Sequence, residues 1–477
     1  MTHLGDLLMV AASATCAGCR KRDSRIAELE QELQRLRQQL DQVEREKNRQ
    51  AHPFRREHGT DHPKKPGRHK GHPADLRPVP TAGQIDRVID VPLDKCPLCD
   101  VYLYDQGQVV QYQTDLPPIV PIITQFNIET GRCPCCRQYW QGRHPDQTSD
   151  AIGATGNTLG PVVLTMAAEM KHRLGVSYRK ICDFLQTYCQ LQVCPGAFIR
   201  AEQRLADLAK PTYDLLIEAL RQSHVVHADE TGWRVGRLSA WLWVFSSKQA
   251  TVYVIRAGKG ARGHRVAQDI LGPDFDGYLV VDGLKSYDVL DVAKGRCNGH
   301  LLRRCKKLRD TVPTKEQQHL EAMSTLLKEA IDLARRRDEV PPADFARHVQ
   351  EIEDRLDDWL DANVRQRNLS ADLDRLDQHL RAHRGEWLTF LHDPEVPPTN
   401  NHAEQMLRPA VITRKVGGCN KNLMGALVHS ILASIMVSCH RQGKRFLDLA
   451  RRLWQNNEPQ AIALENLPEP ATPQPTS

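Results

Sequence analysis

The segment at residues 223–235, Ser-His-Val-Val-His-Ala-Asp-Glu-Thr-Gly-Trp-Arg-Val, sets the main expectation about the fold. Its apolar run stops at Asp229, and the glycine that follows predicts a turn there. Further β-branched or aromatic runs lie at residues 240–247, 251–255 and 277–281. With short polar turns between the first three runs, the pattern predicts a meander of strands. The last run also ends in an acid, Asp282, so two strands are predicted to deliver two carboxylates.

A third carboxylate, Glu404, lies far downstream in the segment 398–408, Pro-Thr-Asn-Asn-His-Ala-Glu-Gln-Met-Leu-Arg. Asn400 or Asn401 can cap a helix there, which places Glu404 in the first helical turn. Two carboxylates from strands and one from a helix make an oxygen-rich site of the kind that holds Mg²⁺ or Mn²⁺. A pair of such ions activates the attacking oxygen and stabilises the leaving oxygen in phosphodiester displacement. The three acids therefore indicate a nuclease-like site.

Each acid also has an ordinary structural interpretation. An Asp before a turn glycine is a common turn residue. Asn401-x-x-Glu404 has the spacing of a capping box, in which the Glu serves the helix backbone. Taken singly, each acid is more often structural than catalytic, and only the combination of the three favours a catalytic site.

Longer motifs around these acids resemble those of a known family. They are His-Ala-Asp-Glu-Thr-Gly-Trp at 227–233, Val-Asp-Gly-x-x-x-Tyr at 281–287, Cys-x-x-His-Leu-Leu-Arg-Arg at 297–304 and Pro-x-Asn-Asn-x-Ala-Glu-x-x-Leu-Arg-Pro at 398–409. Over almost its entire length, the chain resembles a bacterial insertion-sequence transposase of the insertion-sequence sixty-six family. The resemblance implies a ribonuclease-H-like catalytic fold and an Asp-Asp-Glu triad formed by Asp229, Asp282 and Glu404.

The spacing of the three acids predicts an insertion. The interval from Asp229 to Asp282 leaves room for two strands and a helix, but the interval from Asp282 to Glu404 is too long for one strand-helix step. Residues 311–385 are charged, leucine-spaced and poor in glycine, which predicts helices, for example at 326–337. The resemblance implies a helical insertion at this point, as a region that can contact the element end or a second subunit.

The overall charge says little about partners, since 65 Lys and Arg residues stand against 59 Asp and Glu for a net charge of +6. No apolar run is expected to reach the roughly 18–20 residues of a membrane span. The apolar segment at 7–14 is not preceded by Lys or Arg, which argues against an export signal. We therefore expect a cytoplasmic, nucleoid-associated protein whose 14 cysteines are thiols and metal ligands.

The N-terminal region is predicted to contain a helix and a linker. Apolar residues between 26 and 43 alternate in steps of three and four, which predicts a short coiled coil or, alternatively, an amphipathic helix on its own protein. Cys16-x-x-Cys19 is half a metal site and stays unassigned. Residues 51–80 are rich in Pro, His, Lys and Arg, which predicts an extended linker that either tethers DNA or is merely solvated.

Two Cys-x-x-Cys pairs give the strongest metal pattern in the chain. Their cysteines are Cys96, Cys99, Cys133 and Cys136. Strand-like runs at 109–112 and 122–128 lie between the pairs, so two knuckles on adjacent hairpins would bring four thiolates to tetrahedral distance. We therefore predict a closed structural Zn²⁺ site in a ribbon, with Cys135 as the spare thiol. Cysteines buried for packing are the alternative.

Residues 150–220 are predicted to be helical. Ser177 is a candidate N-cap, a turn follows the first helix, and Pro195 begins the second. Helix, short turn and helix is the pattern of a major-groove reader, with Arg200 and Arg204 as candidate DNA contacts. Plain bundle helices show the same pattern, so this interpretation depends on the family resemblance.

Basic residues on both sides of the predicted site are candidates for contacts to DNA phosphates. They are Arg303, Arg304, Lys306, Lys307, Arg408, Arg414 and Lys415. A solvated helix face is the ordinary alternative for some of them.

The predicted fold is a multidomain α+β protein with an N-terminal coiled coil, a zinc ribbon, a helical DNA-binding domain and a ribonuclease-H-like α/β catalytic domain with a helical insertion. The predicted boundaries are 1–50 for the N-terminal helix, 51–80 for the linker, 81–147 for the ribbon, 150–220 for the helix-turn-helix-like domain, 221–310 and 386–445 for the two parts of the catalytic domain, 311–385 for the insertion, and 446–477 for a C-terminal helix end and disordered tail.

The sequence thus predicts a DNA transposase that binds insertion-sequence ends and uses two Mg²⁺ or Mn²⁺ ions for phosphodiester hydrolysis and strand transfer. The resemblance implies terminal inverted repeats and target DNA as partners, a homo-oligomer, and small accessory proteins of the same element. Two alternatives stay open. One is a catalytically silent DNA-binding regulator with the same fold, and the other is a simple metal-dependent nuclease.

Overall fold

The computed structural model describes residues 77–104, 107–153, 156–365 and 370–468, and in addition Ile26, Leu29 and Gln34. The chain forms two units, Met1–Asp75 and Leu76–Ser477. In the first unit, the three described residues are helical and exposed. The rest of the predicted coiled coil, both N-terminal cysteines, most of the basic linker and residues 469–477 lie outside the described residues.

Residues 77–147 contain little regular structure. Two short antiparallel strands, β1 (Thr130–Arg132) and β2 (Tyr139–Gln141), form a hairpin around the second cysteine pair. The strands predicted at 109–112 and 122–128 are not formed in this described region, so that prediction is wrong. Alternating apolar residues form a strand only when the backbone finds a partner strand, and most apolar side chains of these two runs are exposed.

Three helices follow this region. They are α1 (Pro161–His172), α2 (Tyr178–Cys189) and α3 (Pro195–Arg221). The Ser177 hydroxyl caps α2 by accepting the backbone N–H of Lys180, and Gln190 ends that helix in the left-handed conformation with a φ of 51°. Pro195 is the first residue of α3, so the predicted helix, turn and helix are confirmed. Their role as a DNA reader stays a prediction.

A five-stranded mixed sheet forms the centre of the second unit, in the order β5-β4-β3-β6-β7. Its strands are β3 (Val225–Val235), β4 (Leu238–Ser246), β5 (Thr251–Ala257), β6 (Tyr278–Val281) and β7 (Ala293–Arg296), with α4 (Arg265–Leu271) between β5 and β6. The first three strands are antiparallel, which confirms the predicted meander, whereas β6 and β7 run parallel to β3.

The predicted end of the first strand is wrong. Strand β3 continues through Asp229, because β4 pairs with it as far as Val235. The turn glycine is Gly236, which has a φ of 58° that favours glycine, and not Gly232. Asp229 therefore lies inside a strand and not at its mouth.

Among the described residues, five α-helices lie between β7 and the segment that carries Glu404. They are α5 (Asn298–Arg309), α6 (Thr314–Arg335), α7 (Pro342–Arg365), α8 (Ala371–Ala382) and α9 (Thr389–His392). Helices α6 to α8 confirm the helices predicted within residues 311–385, and their role as an insertion in a catalytic domain stays a prediction. Their apolar faces form a core together with Leu301 of α5 and Val280 of β6.

Three helices complete the described chain. They are α10 (Asn401–Val416), α11 (Leu423–Arg441) and α12 (Phe446–Asn456). Helix α11 is long and apolar enough to cross a membrane, so the expectation that no such run exists is wrong. However, 72% of its apolar window is buried inside the protein, as in the core helix of a globular domain. The predicted buried helix at 427–437 is thus confirmed.

Helices cover both faces of the sheet, because side chains along each strand point alternately to opposite faces. On one face, Ala228 and Trp243 pack in a core with α1, α3, α4 and α12. On the other face, Val280 packs against the helical insertion, and Val244 packs against α10 and α11. The sheet is therefore the middle layer of three.

A row of serines on α11 covers the edge strand β5. The hydroxyls of Ser430, Ser434 and Ser438 accept the backbone N–H groups of Ile255, Tyr253 and Thr251, at 3.2, 2.8 and 2.9 Å. Four residues of helix and two residues of strand both advance by roughly 6–7 Å, so the two spacings match. The outward N–H groups of the edge are thereby satisfied.

A buried polar network joins three N-terminal helices to α11 and the sheet. His172 of α1 lies 2.9 Å from His429 of α11, Nδ1 to Nδ1, and its Nε2 lies 3.0 Å from Glu202 of α3. The Tyr178 hydroxyl of α2 donates to the same carboxylate. The ring of Trp233 on β3 stacks on His429 with a centroid distance of 5.8 Å.

Candidate active site

Asp229 and Asp282 lie on neighbouring strands and on the same face of the sheet. The parallel pairing of β3 with β6 ends at His227 opposite Val280. Asp229 is two residues beyond His227, and Asp282 is two residues beyond Val280. Because side chains two residues apart share a face, both carboxylates project from the face covered by α10 and the insertion.

The three predicted acids interact electrostatically. Burial first, and then the neighbouring charges of Asp282, Glu230 and Glu404, together raise the pKa of Asp229 to about 7. The backbone N–H of Glu230, which donates to Asp229 Oδ1 at 2.8 Å, acts in the opposite direction. Cation-binding sites and catalytic sites often contain several carboxylates that repel one another in a partly buried environment.

Asn400 fastens the start of α10 to the strand of Asp229. Its Nδ2 donates to the carbonyl of Ala228 at 2.7 Å, and its Oδ1 lies 3.1 Å from His227 Nδ1. Its backbone N–H donates to the Cys297 thiol at 3.2 Å. Asn400 is the N-cap residue but makes no side-chain cap hydrogen bond, so the capping box considered from the sequence does not form. The Glu404 side chain is left for other contacts.

Glu404 faces two basic groups of α5. Its Oε1 lies 3.2 Å from Arg303 Nη2 and 3.7 Å from His300 Nε2. His300 in turn bonds the Cys297 thiol: burial alone would raise the pKa of this thiol, but the hydrogen bonds from His300 and from the Asn400 backbone lower it overall. The Cys-x-x-His pair therefore organises the site beside Glu404.

Glu230, the residue next to Asp229, points to the opposite face and has structural partners. Its Oε1 accepts from Arg262 Nη2 at 2.8 Å, and its Oε2 accepts from the Tyr287 hydroxyl at 3.1 Å. Sequence reasoning missed Arg262 and Tyr287 as partners of this site. Strand alternation was the only pattern that could have separated Glu230 from Asp229.

A family comparison agrees with this geometry. Residues 156–427 match the model of a protein family described as transposase IS66 family. The matched range is more than half of the chain and contains all three acids. The chain belongs to the IS66 family of transposases. No curated protein sequence matches it.

Membership in this family indicates a DNA-modifying enzyme of DNA transposition, with DNA as its partner. The four cysteines predicted to bind zinc lie outside the matched range, whereas the helical region and the insertion lie inside it.

The donor chemistry of this IS66-family transposase fits a divalent cation, since carboxylates are ligands that Mg²⁺ and Mn²⁺ prefer. The arrangement is not that of a closed metal site. Among the described residues, no group of three or more His, Cys, Asp or Glu side chains is placed so that it could hold a metal ion. The ion pair of Glu404 with Arg303 is one reason, because it directs the third carboxylate towards α5.

The two cysteine pairs of the transposase form knuckles of the same backbone geometry. The N–H of Cys96 donates to Val101 and that of Cys133 donates to Gln138, each at 2.9 Å. Backbone N–H groups aimed at the sulfurs of Cys96 and Cys133 lower the pKa of both thiols. Each knuckle thus favours a thiolate, but the described structure does not gather the four sulfurs into one site.

The predicted DNA contacts of the transposase fall into two groups. Arg204 donates to the carbonyl of Thr148, and Arg414 donates to the carbonyl of Gly232, so both guanidiniums have partners within the protein. Arg303 pairs with Glu404, and Arg304 is half-buried. Arg303 is nevertheless exposed, as are Arg200, Lys306, Lys307, Arg408 and Lys415.

Proposed function

We propose that this protein is a DNA transposase of the Asp-Asp-Glu type, with Asp229, Asp282 and Glu404 as its catalytic carboxylates. The observation that carries the proposal is the convergence of two strand acids on one face of the sheet with a helix acid that raises the pKa of Asp229. The strand order, with three antiparallel and two parallel strands, supports the ribonuclease-H-like fold that the sequence resemblance implies.

In this proposal the three carboxylates hold two Mg²⁺ or Mn²⁺ ions, which when bound activate the attacking oxygen and stabilise the leaving oxygen. The protein supplies the geometry. Asn400 holds α10 against β3, so the position of Glu404 relative to Asp229 is fixed by a buried hydrogen-bonded contact. Arg303 and His300 lie beside Glu404, and both basic groups would be available to phosphate oxygens if Glu404 held a cation.

The proposed reaction has two displacements at the same site. Water attacks the phosphodiester at an element end and releases a 3′-hydroxyl. That hydroxyl then attacks a phosphodiester of target DNA, which joins the element to the 5′-phosphate side of the break and releases a 3′-hydroxyl on the target strand. Both displacements need the same in-line geometry, so one set of carboxylates is sufficient for cleavage and joining.

The first test is a cleavage and strand-transfer assay on DNA that carries the element's own ends, with Mg²⁺ present. Asp229→Ala, Asp282→Ala and Glu404→Ala are each expected to lower product formation by roughly a hundredfold or more, with end binding retained. Asp291→Ala serves as the matched control, because Asp291 is exposed and belongs to the same domain. Undiminished products in a folded variant would remove that acid from the site.

A catalytically silent DNA-binding regulator is the competing function. The ion pair between Glu404 and Arg303 favours it, because a permanently paired carboxylate could not hold a cation. The same assay separates the two functions. End binding without any cleavage, even with accessory proteins of the element added, would favour the regulator.

We further propose that the two cysteine knuckles bind one structural Zn²⁺ ion. The matching backbone geometry of the knuckles and the lowered pKa of two thiols support this proposal. Wild-type protein and Cys135→Ser are expected to contain about one Zn²⁺ per chain, and Cys99→Ser to contain much less. Equal zinc loss in both variants would contradict the assignment.

DNA-end binding is proposed for the zinc region together with α2 and α3, and Arg200 is the exposed candidate on α3. We also propose that the protein acts as a homo-oligomer, since joining two element ends needs two end-binding sites. Accessory proteins of the element are proposed as further partners, on the basis of the family resemblance alone.

A further inference from the structure

A cavity of about 910 Å³ opens beside Asp282, between the loop after β6 and the helical insertion. Its lining includes Lys285, Arg296, Arg304, Arg375, His379 and Trp387. The insertion reaches close to the acid: His379 Nε2 lies 3.9 Å from the position that a Cβ on Gly283 would take. The volume is within the roughly 300–1,000 Å³ of pockets that hold one small organic molecule, and too small for a DNA duplex.

The cavity has an excess of positive charge. Its acidic lining residues are Asp282 and Asp288, and Asp288 already forms an ion pair with Arg296 at 2.5 Å. The guanidinium of Arg304 is half-buried and the ammonium of Lys285 is exposed, and within the described part of the chain neither forms a direct hydrogen bond or ion pair. Arg304 interacts electrostatically with Asp372, whose carboxylate is already paired with Arg375 at 2.6 Å. One carboxylate thus serves two guanidiniums, and with Lys285 beside them the cavity wall fits an anionic ligand.

Buried groups behind the cavity support the same conclusion. Arg296 is only 2% exposed, and its Nη1 has no hydrogen-bond partner within the described residues, like the indole N–H of Trp387. His379 is packed edge-to-face against Trp387 with a centroid distance of 5.4 Å. Burial and the charges of Arg296, His383 and Arg304 lower the pKa of His379 to about 4, so its neutral ring lies in a positive field.

We infer that this cavity binds one unpaired nucleotide of the DNA strand that is cut. The inference rests on the proposed function and adds a binding site to it. The phosphate contacts Lys285, Arg304 and Arg375, and the base packs against the neutral ring of His379. Cationic grooves lined with aromatic rings bind single-stranded nucleic acid in this way, and an enzyme that unpairs a nucleotide gains access to its phosphate.

The test compares two fluorescent probes in an anisotropy titration with the full chain and Ca²⁺. One probe is a blunt duplex of the element end, and the other is the same duplex with mismatched, unpaired nucleotides at its terminus. Wild-type protein is expected to bind the unpaired probe more tightly. The variant Lys285→Gln/Arg375→Gln, which changes two exposed residues, is expected to reduce this preference by roughly five- to tenfold.

A charge-matched control distinguishes binding in the cavity from the general attraction of DNA to positive charge. Lys315→Gln/Lys328→Gln also removes two positive charges from exposed positions of the insertion, but neither lysine lines the cavity. Its preference for the unpaired probe should equal that of wild type. His379→Ala, which keeps the cavity's formal charge, is expected to reduce the preference as well, by loss of base packing.

Two results would overturn the inference. One is equal binding of both probes by wild-type protein, and the other is an equal loss of preference in the cavity variant and the control. The failure of the proposed function gives a different result. If wild-type protein prefers the unpaired probe but joined products never form, the nucleotide site is supported and the transposase mechanism is contradicted.

Discussion

At the scale of single residues, two adjacent acids on one strand have different surroundings. Asp229 shares its sheet face with Asp282, whereas Glu230 points to the other face and bonds Arg262 and Tyr287. Strand alternation thus separates a charge that remains unpaired from one that is neutralised. Strand β3 therefore places Asp229 at the candidate site and Glu230 in hydrogen bonds on the opposite face of the sheet.

Asn400→Ala is expected to destabilise the fold and to lower activity. The substitution removes the amide that links α10 to Ala228 and His227, and it leaves the buried Ala228 carbonyl without that donor. The expected loss is about 1–3 kcal/mol in the free energy of unfolding, measured by chemical denaturation.

The neighbouring Asn401→Ala is the control, because Asn401 is exposed at the first position of the same helix. Its effect should stay within about 0.5 kcal/mol. Equal effects of the two substitutions would show that Asn400 acts only through helix propensity.

At the scale of elements, α11 is fixed to the sheet by hydrogen bonds as well as by apolar packing. Serines four residues apart on the helix meet N–H groups two residues apart on β5. The helix is therefore held in one axial position, since a shift by one residue would break all three bonds. Helix α11 also packs beside α10, which carries Glu404.

Ser434→Ala is expected to cost about 1–3 kcal/mol of unfolding free energy, because the buried N–H of Tyr253 loses its acceptor. Ser223→Ala is the matched control, since the Ser223 hydroxyl only donates to the carbonyl of Ala219 and is half-buried. Thermal or urea unfolding measures both variants. A Ser434→Ala variant as stable as the control would show that water or a shifted helix accepts the hydrogen bond of the Tyr253 N–H instead.

At the scale of the whole molecule, the interior is polar where the helical layer meets the sheet. His172, His429 and Glu202 connect α1, α11 and α3, and each is at least 96% buried. Burial lowers the pKa of His429 well below its usual value, and the positive charges of His172 and Lys171 lower it further. His429 is therefore neutral in the folded protein.

This network predicts acid sensitivity. Because the unfolded chain takes up a proton at an ordinary histidine pKa and folded His429 does not, stability is lost as the pH falls through that value. His429→Gln removes this difference, and the loss of unfolding free energy roughly between pH 7 and pH 5 should shrink by about 2 kcal/mol.

His440→Gln, at the exposed end of the same helix, is the control and should leave the pH profile unchanged. Chemical denaturation at several pH values gives the slopes. If the unfolding free energy of wild type and of His429→Gln falls with pH at the same slope, His429 does not contribute to the loss of stability in acid.

The sequence predicts the regular elements of this molecule well where local patterns decide them. The meander, the turn before Pro195 and the helical insertion follow from apolar spacing and from capping or turn residues. The end of β3 does not, because β4 extends the pairing past Asp229. The runs at 109–112 and 122–128 show the converse, since a strand-like pattern forms no strand when no partner strand meets it.

The candidate site is predictable in part. The three acids can be named from their motifs, but their contacts depend on residues distant in sequence. Asn400 reaches Ala228 and Cys297, and Glu404 meets Arg303, across intervals that local patterns do not bridge. The cavity beside Asp282 likewise exists only because α8 folds back over the loop after β6.

The serines that cover β5 also restrict how copies of this protein can assemble. A sheet with a bare edge can be continued by a strand from another molecule. At β5 that route is closed, because helix α11 already occupies the N–H groups that an incoming strand would need. A strand from a second copy therefore cannot be added at β5, and crowding copies of the protein does not link them strand to strand along this edge.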